Sequence, residues 1–455
     1  MTIRSLSFTF AAALLLASLT TTQAWSQHNN NGGGFFSNRS VGGIAISPEG
    51  VLSVAAVEDF RLLRKSIIDG ATKVSSEITQ PVELRKISLR ALEAAIQEAR
   101  DNGQEFLPDE MKYLAGIQRI QYVIALPEEN DIVLAGPGEG WKVDESGYVV
   151  GVTTGLPVIR LDDLLIAFRT VENARQGGLT CSIDPTEQGL RQFESVVKEA
   201  GGRMQPGVVD ALAKAMGPQD IKITGVPDTS RLARVLVASD YRMKRYAMEL
   251  DKSPVPGLPS FVGMLKSKKG ALNNMLPRWW MACNYEALGK SEDGLAWELR
   301  GPGVKVMTED DFVENGKVKR SGKSNAVAQQ WANLLTEKYA ALSVKDPIFG
   351  ELRNVMDLCV VTALVEREGM LQKCNLELPN ITSEKDGRKA QVFNAPKQVS
   401  SQCSVTKSGR DYIITASGGV EISSWSVIEN VETDAAVGQV REKAAGKAGK
   451  SLWWN

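Results

Sequence analysis

The sequence predicts an α+β protein of more than one domain, with helices packed on mainly antiparallel or mixed sheets. Three observations lead there. Segments with apolar residues at helical spacing are interspersed with short runs that alternate every second residue. Two middle segments each pass from a short strand through a proline to a polar start and then a helix. The composition, 43% hydrophobic and 24% charged over 455 residues, supplies the apolar material for large cores.

Taken in order, the chain opens MTIRSLSFTFAAALLLASLTTTQAWSQ. Arg4 gives a positive start, residues 8–19 an apolar run, and Thr22-Gln23-Ala24 or Ala24-Trp25-Ser26 a small-residue cleavage site. Residues 1–24 are therefore expected to be a signal peptide, with the mature protein beginning at Trp25 or Gln27 and exported to the periplasm or beyond. The run is shorter than the roughly 20 residues that cross a bilayer, and no integral membrane segment is expected in the mature chain. Residues 25–46, rich in Asn and Gly, read as a flexible leader that holds the one histidine, His28.

Residues 47–176 read as an N-terminal α+β domain. Leu89, Leu92, Ile96 and Ala99 form a helical stripe, with Ser88 as N-cap and Gly103 as stop. A second helix is expected from Pro108, then two antiparallel strands turning at residues 127–131, strand again in GYVVGVTTGLPVIRL, and a helix opening on Asp162 and Asp163. Residues 177–375 read as a central α+β domain. It contains the two strand-to-helix units, the second with Leu232, Val235, Leu236, Ser239 and Met243 as a buried stripe, then strands in LAWELRG and VKVMTEDDF. Two helices follow, the last with Ile348, Leu352, Val355, Cys359 and Leu364 on its apolar face. Residues 376–432 read as a β segment with a hairpin at 407–410, and residues 433–455 as a disordered basic tail.

Charge and residue types narrow the chemistry. Lys plus Arg total 53 against 54 acids, which gives no field for gathering nucleic acid. With a single histidine, His-based triads and zinc sites are disfavoured, and no metal or cofactor is expected. Glu309-Asp310-Asp311 lacks calcium-loop spacing and reads as a helix start. Gly322-Lys323-Ser324 misses the P-loop pattern by one residue, since position 317 is Lys and the glycine is Gly316. Gly136-Pro137-Gly138-Glu139-Gly140-Trp141 reads as a turn after a strand. Ser195 and Lys198 fit S-x-x-K and Lys407-Ser408-Gly409 resembles K-[ST]-G, but the middle element of that hydrolase pattern is missing. The five cysteines, Cys181, Cys283, Cys359, Cys374 and Cys403, allow one or two disulfides, with Cys374 to Cys403 as first choice, or serve as small buried hydrophobes.

Two constellations remain as candidate binding residues. Arg278 with Trp279 and Trp280 offers a broad aromatic face and a planar fork for a sugar or aromatic ligand; strand alternation allows at most one of the two tryptophans to face it, and packing in the core and at its edge is the competing reading. Tyr241, Arg242 and Arg245 cluster near a helix end, where a solvated face complementing the dipole is the competing reading.

The segments LAGPGEGW, SDYRMKRYAMEL, PRWWMACNYEAL and VKVMTEDDF together resemble an exported bacterial protein family of unknown function, known mainly from planctomycete genomes. The resemblance implies one architecture over about residues 50 to 430 and carries no activity or site. The expected function is a non-catalytic binding or structural component of the cell envelope or exported space, acting on an envelope polymer or protein partner. The alternative is a histidine-independent hydrolase of envelope polymers, based on a Ser-Lys pair or on carboxylates.

Overall fold

The computed structural model describes residues 43–55, 61, 64–65, 68, 76–104, 106–199, 208–266, 275–314, 317–320, 322–401, 403–408, 410–415, 417–446 and 451–455. The expected signal peptide, His28 and all but the last few leader residues lie outside this set. The described residues belong to one compact unit, residues 36–455.

The strands are β1 (Ile44–Ile46), β2 (Val51–Val54), β3 (Val82–Ser88), β4 (Tyr122–Leu126), β5 (Asp131–Gly138), β6 (Trp141–Val143), β7 (Val149–Gly151), β8 (Leu179–Pro185), β9 (Gln219–Thr224) and β10 (Met275–Asn284). They continue as β11 (Leu288–Lys290), β12 (Ala296–Glu298), β13 (Gly303–Glu314), β14 (Lys317–Arg320), β15 (Gln398–Val399), β16 (Cys403–Ser408), β17 (Arg410–Thr415), β18 (Ser417–Ile422), β19 (Val431–Thr433) and β20 (Trp453–Trp454). The main helices are α1 (Leu89–Asp101), α2 (Leu161–Arg169), α3 (Val171–Gly177), α4 (Glu187–Glu199), α5 (Val208–Met216), α6 (Arg231–Ala247), α7 (Phe261–Lys266), α8 (Ala326–Lys345), α9 (Pro347–Arg367), α10 (Pro379–Thr382) and α11 (Ala435–Ala444).

Two large sheets organise the molecule, and the α+β expectation holds. A nine-stranded sheet runs β1-β2-β15-β9-β8-β18-β10-β13-β14, and a seven-stranded sheet runs β19-β11-β12-β4-β5-β3-β20. Both are mixed: β2/β15 and β10/β18 are parallel in the first and β11/β19 in the second, while the other pairings are antiparallel. The domain boundaries expected at 176/177 and 375/376 divide the chain but not the sheets. The nine-stranded sheet takes strands from all three blocks, because sheet partners are chosen by matching apolar faces and not by sequence distance.

Local signals explain most elements. Ser88 Oγ accepts from the Ala91 amide at 2.9 Å and caps α1, whose Leu89, Leu92 and Ile96 are buried. Asn130, in left-handed geometry, turns β4 into β5. The predicted helix after Asp162 breaks at Thr170 into α2 and α3. The run of residues 136–138 is not a turn but the end of β5, and glycine is required there: a Cβ on Gly136 would stand 2.0 Å from the Arg119 carbonyl oxygen. Likewise Glu309 and Asp310 do not start a helix; they continue β13, paired with β10. The hairpin expected around residues 407–410 forms as β16 and β17.

Helix α9 is the hub. Every residue from Pro347 to Val365 is buried, and the helix packs on α2, α6, α8 and β13. Helix α6 lies on β8, β18 and β10, and α8 lies on β13, so one face of the nine-stranded sheet is covered by helices.

The described residues 433–446 and 451–455, expected to belong to a disordered tail, are ordered. Asp434 caps α11, whose Val437 and Ala444 pack on Ile124, Leu126 and Val133 of the seven-stranded sheet. Trp453 and Trp454 then pair with the edge of β3, and Arg85 donates to Asn455 Oδ1 at 3.0 Å while stacking over the Trp453 ring. A sheet edge left bare is costly, and this short strand covers it. Truncation after residue 450 is expected to cost about 2–4 kcal/mol, since Trp454 is 8% exposed. Faster hydrogen exchange of the β3 amides in the truncated chain checks it.

The cysteine expectation is corrected in part. Cys181, Cys283, Cys359 and Cys374 are free, so the Cys374 to Cys403 bridge does not form. Cys374 is wholly buried, as are Cys181 and Cys359 or nearly so, and they serve as small apolar side chains.

Candidate functional site

Strand β10 carries the Arg-Trp-Trp run through the middle of the nine-stranded sheet, between β18 and β13. Period-two alternation sends its side chains to opposite faces. Trp279 points into the helical layer, is 0% exposed, and meets Phe261 edge-on at 4.8 Å and Trp331 at 5.1 Å between ring centroids. The neighbouring strand comes so close under it that a Cβ on Gly418 (φ +125°) would stand 1.7 Å from the Trp279 carbonyl oxygen. Only glycine fits there.

Arg278 and Trp280 lie on the other face and are partly buried. The Arg278 guanidinium sits over the Trp280 ring at 4.9 Å from its centroid. The register places Met307, Gly419 and then Ser182 and Lys222 in the row of Trp280. Glu309 and Ser417 share the row of Arg278, and Lys305, Glu421, Thr180 and Thr224 follow on the far side with Ala282. Met307 is 36% exposed and Lys222 and Glu421 are exposed. Trp280 thus rises at one side of a strip about 14 Å wide, three strand spacings from β10 to β9, floored by Gly419 and Ser182 and fringed by both signs of charge. Such a strip offers a flat aromatic contact with hydrogen-bonding groups beside it and holds no group poised for covalent chemistry. Burial pushes the nearby Cys283 thiol up to about 12, so it is no nucleophile at neutral pH.

The second constellation is an internal clamp. Tyr241 is buried, and its hydroxyl accepts from Arg245 Nη1 at 3.4 Å. Arg245 Nε and Nη2 donate to Asp251 at 2.6 and 2.8 Å. Arg242 donates to Asp346 at 3.0 Å, to Asp251 at 2.8 Å and to the Tyr246 hydroxyl at 2.8 Å. Hydrogen bonds from Arg245 hold the Asp251 carboxyl below its ordinary range. Most of the donors of both guanidiniums are spent on tying the end of α6 to the following loop and to the start of α9. The solvated-face reading fails too, because these side chains are partly buried. Arg242, Tyr246 and Asp346 also form one wall of a cavity of about 430 Å³ closed by the β6–β7 hairpin.

Further charged side chains of the same helix, Asp240, Lys244 and Arg231, are buried. Lys244 Nζ donates to Asp240 at 2.9 Å and to the carbonyls of Ile183 and Gly418 at 2.8 and 3.2 Å, bridging β8 and β18 from below. Burial pushes Asp240 up to about 6. At the N-terminal end of α6, Arg231 binds both Asp163 and Glu351, all three buried. Two carboxylates share one guanidinium there, and burial pushes Asp163 up to about 6. The four-residue spacing of Asp240 and Lys244 was legible as a helical pair; nothing in the sequence marked it as buried.

The sign of the pH effect follows. A carboxyl whose folded pKa is raised stabilises the fold at pH below its unfolded value, near 4, and that contribution is lost as pH rises through 6. Relative to Asp163→Asn, which does not titrate, the wild-type protein is expected to lose up to about 3 kcal/mol between pH 4 and pH 7. Paired urea unfolding curves at those pH values measure it.

Ser195 and Lys198 are exposed on α4, and Ser195 Oγ donates to Glu199 at 3.2 Å. The Lys407 side chain lies outside the described positions. Among the described residues, no cluster of three His, Cys, Asp or Glu side chains is placed to hold a metal ion, and no helix is long and apolar enough to cross a membrane.

A larger cavity, about 810 Å³, opens where α2, α3, the end of β9 and the start of α6 meet the segment 384–392. Residues 181–261 match a family model described as a protein of unknown function (DUF1598). The DUF1598 match runs from β8 through α4, α5, β9 and α6 to Phe261, and so supplies the buried Asp240–Lys244 pair and part of the wall of both cavities. Of the four segments that carry the family resemblance, only SDYRMKRYAMEL falls within it. Comparison with curated proteins and with solved structures gave no match to this chain.

Proposed function

We infer that this protein is a non-catalytic binding component of the exported space or cell envelope, and that it holds a polymer or a protein partner on the Trp280 face of the nine-stranded sheet. The observation that carries this reading is the Arg278–Trp280 stack rising beside Gly419 and Ser182 on the face of the sheet opposite α6 and α8. Tryptophan gives a ring face to a sugar or aromatic group, while the stacked guanidinium keeps the ring oriented and adds planar donors. Export rests on Arg4, the apolar residues 8–19 and the cleavage site before Trp25 or Gln27; the resemblance to an exported family known mainly from planctomycete genomes belongs to the same reading.

Binding to an array of glycans and isolated envelope polymers tests it. Trp280→Ala is expected to weaken the bound polymer about tenfold or more, the loss typical of an aromatic anchor, while the unfolding midpoint stays close to wild type. An unchanged signal in Trp280→Ala removes this face from consideration. Trp279→Ala is uninformative for binding, because Trp279 belongs to the core.

A further inference from the structure

The 810 Å³ cavity at the start of α6 is separate from the Trp280 face in its chemistry, and two basic side chains, Arg169 and Lys389, line it. Arg169 spends Nε and Nη2 on the carbonyls of Ile381, Asn380 and Arg388, at 3.1, 2.8 and 2.7 Å, and among the described residues its Nη1 makes no hydrogen bond. Those bonds fix the guanidinium plane against the cavity wall. Gln391 Nε2 is buried in the same wall with no hydrogen-bond partner among the described residues. Lys389 is exposed at the mouth and makes no ion pair among the described residues. Thr229 and Ser230 bring the N-terminal turn of the 17-residue α6, whose first amides carry partial positive charge, to the same wall.

One acid, Glu384, also lines the cavity; it is exposed, so water and salt screen it more than the fixed Arg169 guanidinium. Ile166, Val226 and Val392 supply an apolar side to the cavity. The volume far exceeds that of a bare oxyanion and falls in the range of small-molecule pockets.

We propose that this cavity binds a small organic anion, with its phosphate or carboxylate held by Arg169 and Lys389 and its stem lying along Ile166, Val226 and Val392. The ligand class follows from the net positive lining, Arg169 and Lys389 against Glu384. An oxyanion supplies several acceptors at once to the Arg169 Nη1 and to Lys389.

Isothermal titration of the full-length protein with phenyl phosphate and with benzoate, at constant ionic strength, tests the site. Benzyl alcohol, which has the ring without the charge, is the control. The expected result is saturable binding of at least one anion and none of the alcohol; the tighter of the two anions tells whether phosphate or carboxylate is the natural head group. Lys389→Glu, a change at an exposed side chain, is expected to weaken that binding at least tenfold while thermal unfolding shows the variant folded. Absence of binding by both anions, equal binding of the alcohol, or full binding in folded Lys389→Glu overturns the proposal.

Discussion

Trp279→Ala is expected to lower the unfolding free energy by about 3–5 kcal/mol, the range for emptying a large aromatic site in a close-packed core. The ring is wholly buried between Phe261 of α7 and Trp331 of α8, and it is the contact through which the central strand β10 holds both helices. The adjacent Trp280→Ala removes a ring of equal size from the opposite face and is expected to cost about 1 kcal/mol or less. Urea unfolding of the two variants checks the contrast. Comparable losses would show that the two faces of β10 are equally buried and would sink the binding-face reading with it.

Arg231→Met is expected to cost about 3–5 kcal/mol at pH 8, because it leaves Asp163 and Glu351 facing each other in the interior with no counter-charge. The loss should shrink toward pH 5, where the Asp163 carboxyl takes up a proton. Replacing all three residues with apolar side chains, Asp163→Leu, Arg231→Met and Glu351→Leu together, is expected to restore stability to within about 1 kcal/mol of wild type. Denaturant midpoints for the single and triple variants separate the electrostatic account from a packing one: if the triple variant is no more stable than the single, lost packing at Arg231 is the cause.

Much of the architecture was legible because it depends on neighbours in the chain. The Ser88 cap, the stripe of α6 and the hairpin of β4 and β5 are set by side chains and turn residues a few positions apart, and they appear where the patterns placed them. The misreadings share one cause. Residues 136–138 and 309–310 looked like a turn and a helix start because glycine and acids are common there, but each lies in a strand whose partner is distant in sequence. The C-terminal residues looked disordered by composition; their apolar side chains, Val437, Ala444 and Trp454, find a surface built by β4 and β5, some 300 residues earlier.

The candidate site divides in the same way. Alternation along PRWWMACN sends Trp279 and Trp280 to opposite faces whatever the fold, so the sequence by itself determined that one of them at most is available to a ligand. Which one was decided by the tertiary structure, since α6, α7 and α8 pack on the face that carries Trp279, while Trp280 on the other face stays partly exposed. Sequence likewise determined that the end of α6 carries Tyr241, Arg242 and Arg245. Only the folded chain brings Asp251 and Asp346 within hydrogen-bond reach and turns that cluster into a clamp. The physical reason is that periodicity and capping are written in local spacing, whereas burial and charge pairing depend on which distant surfaces meet.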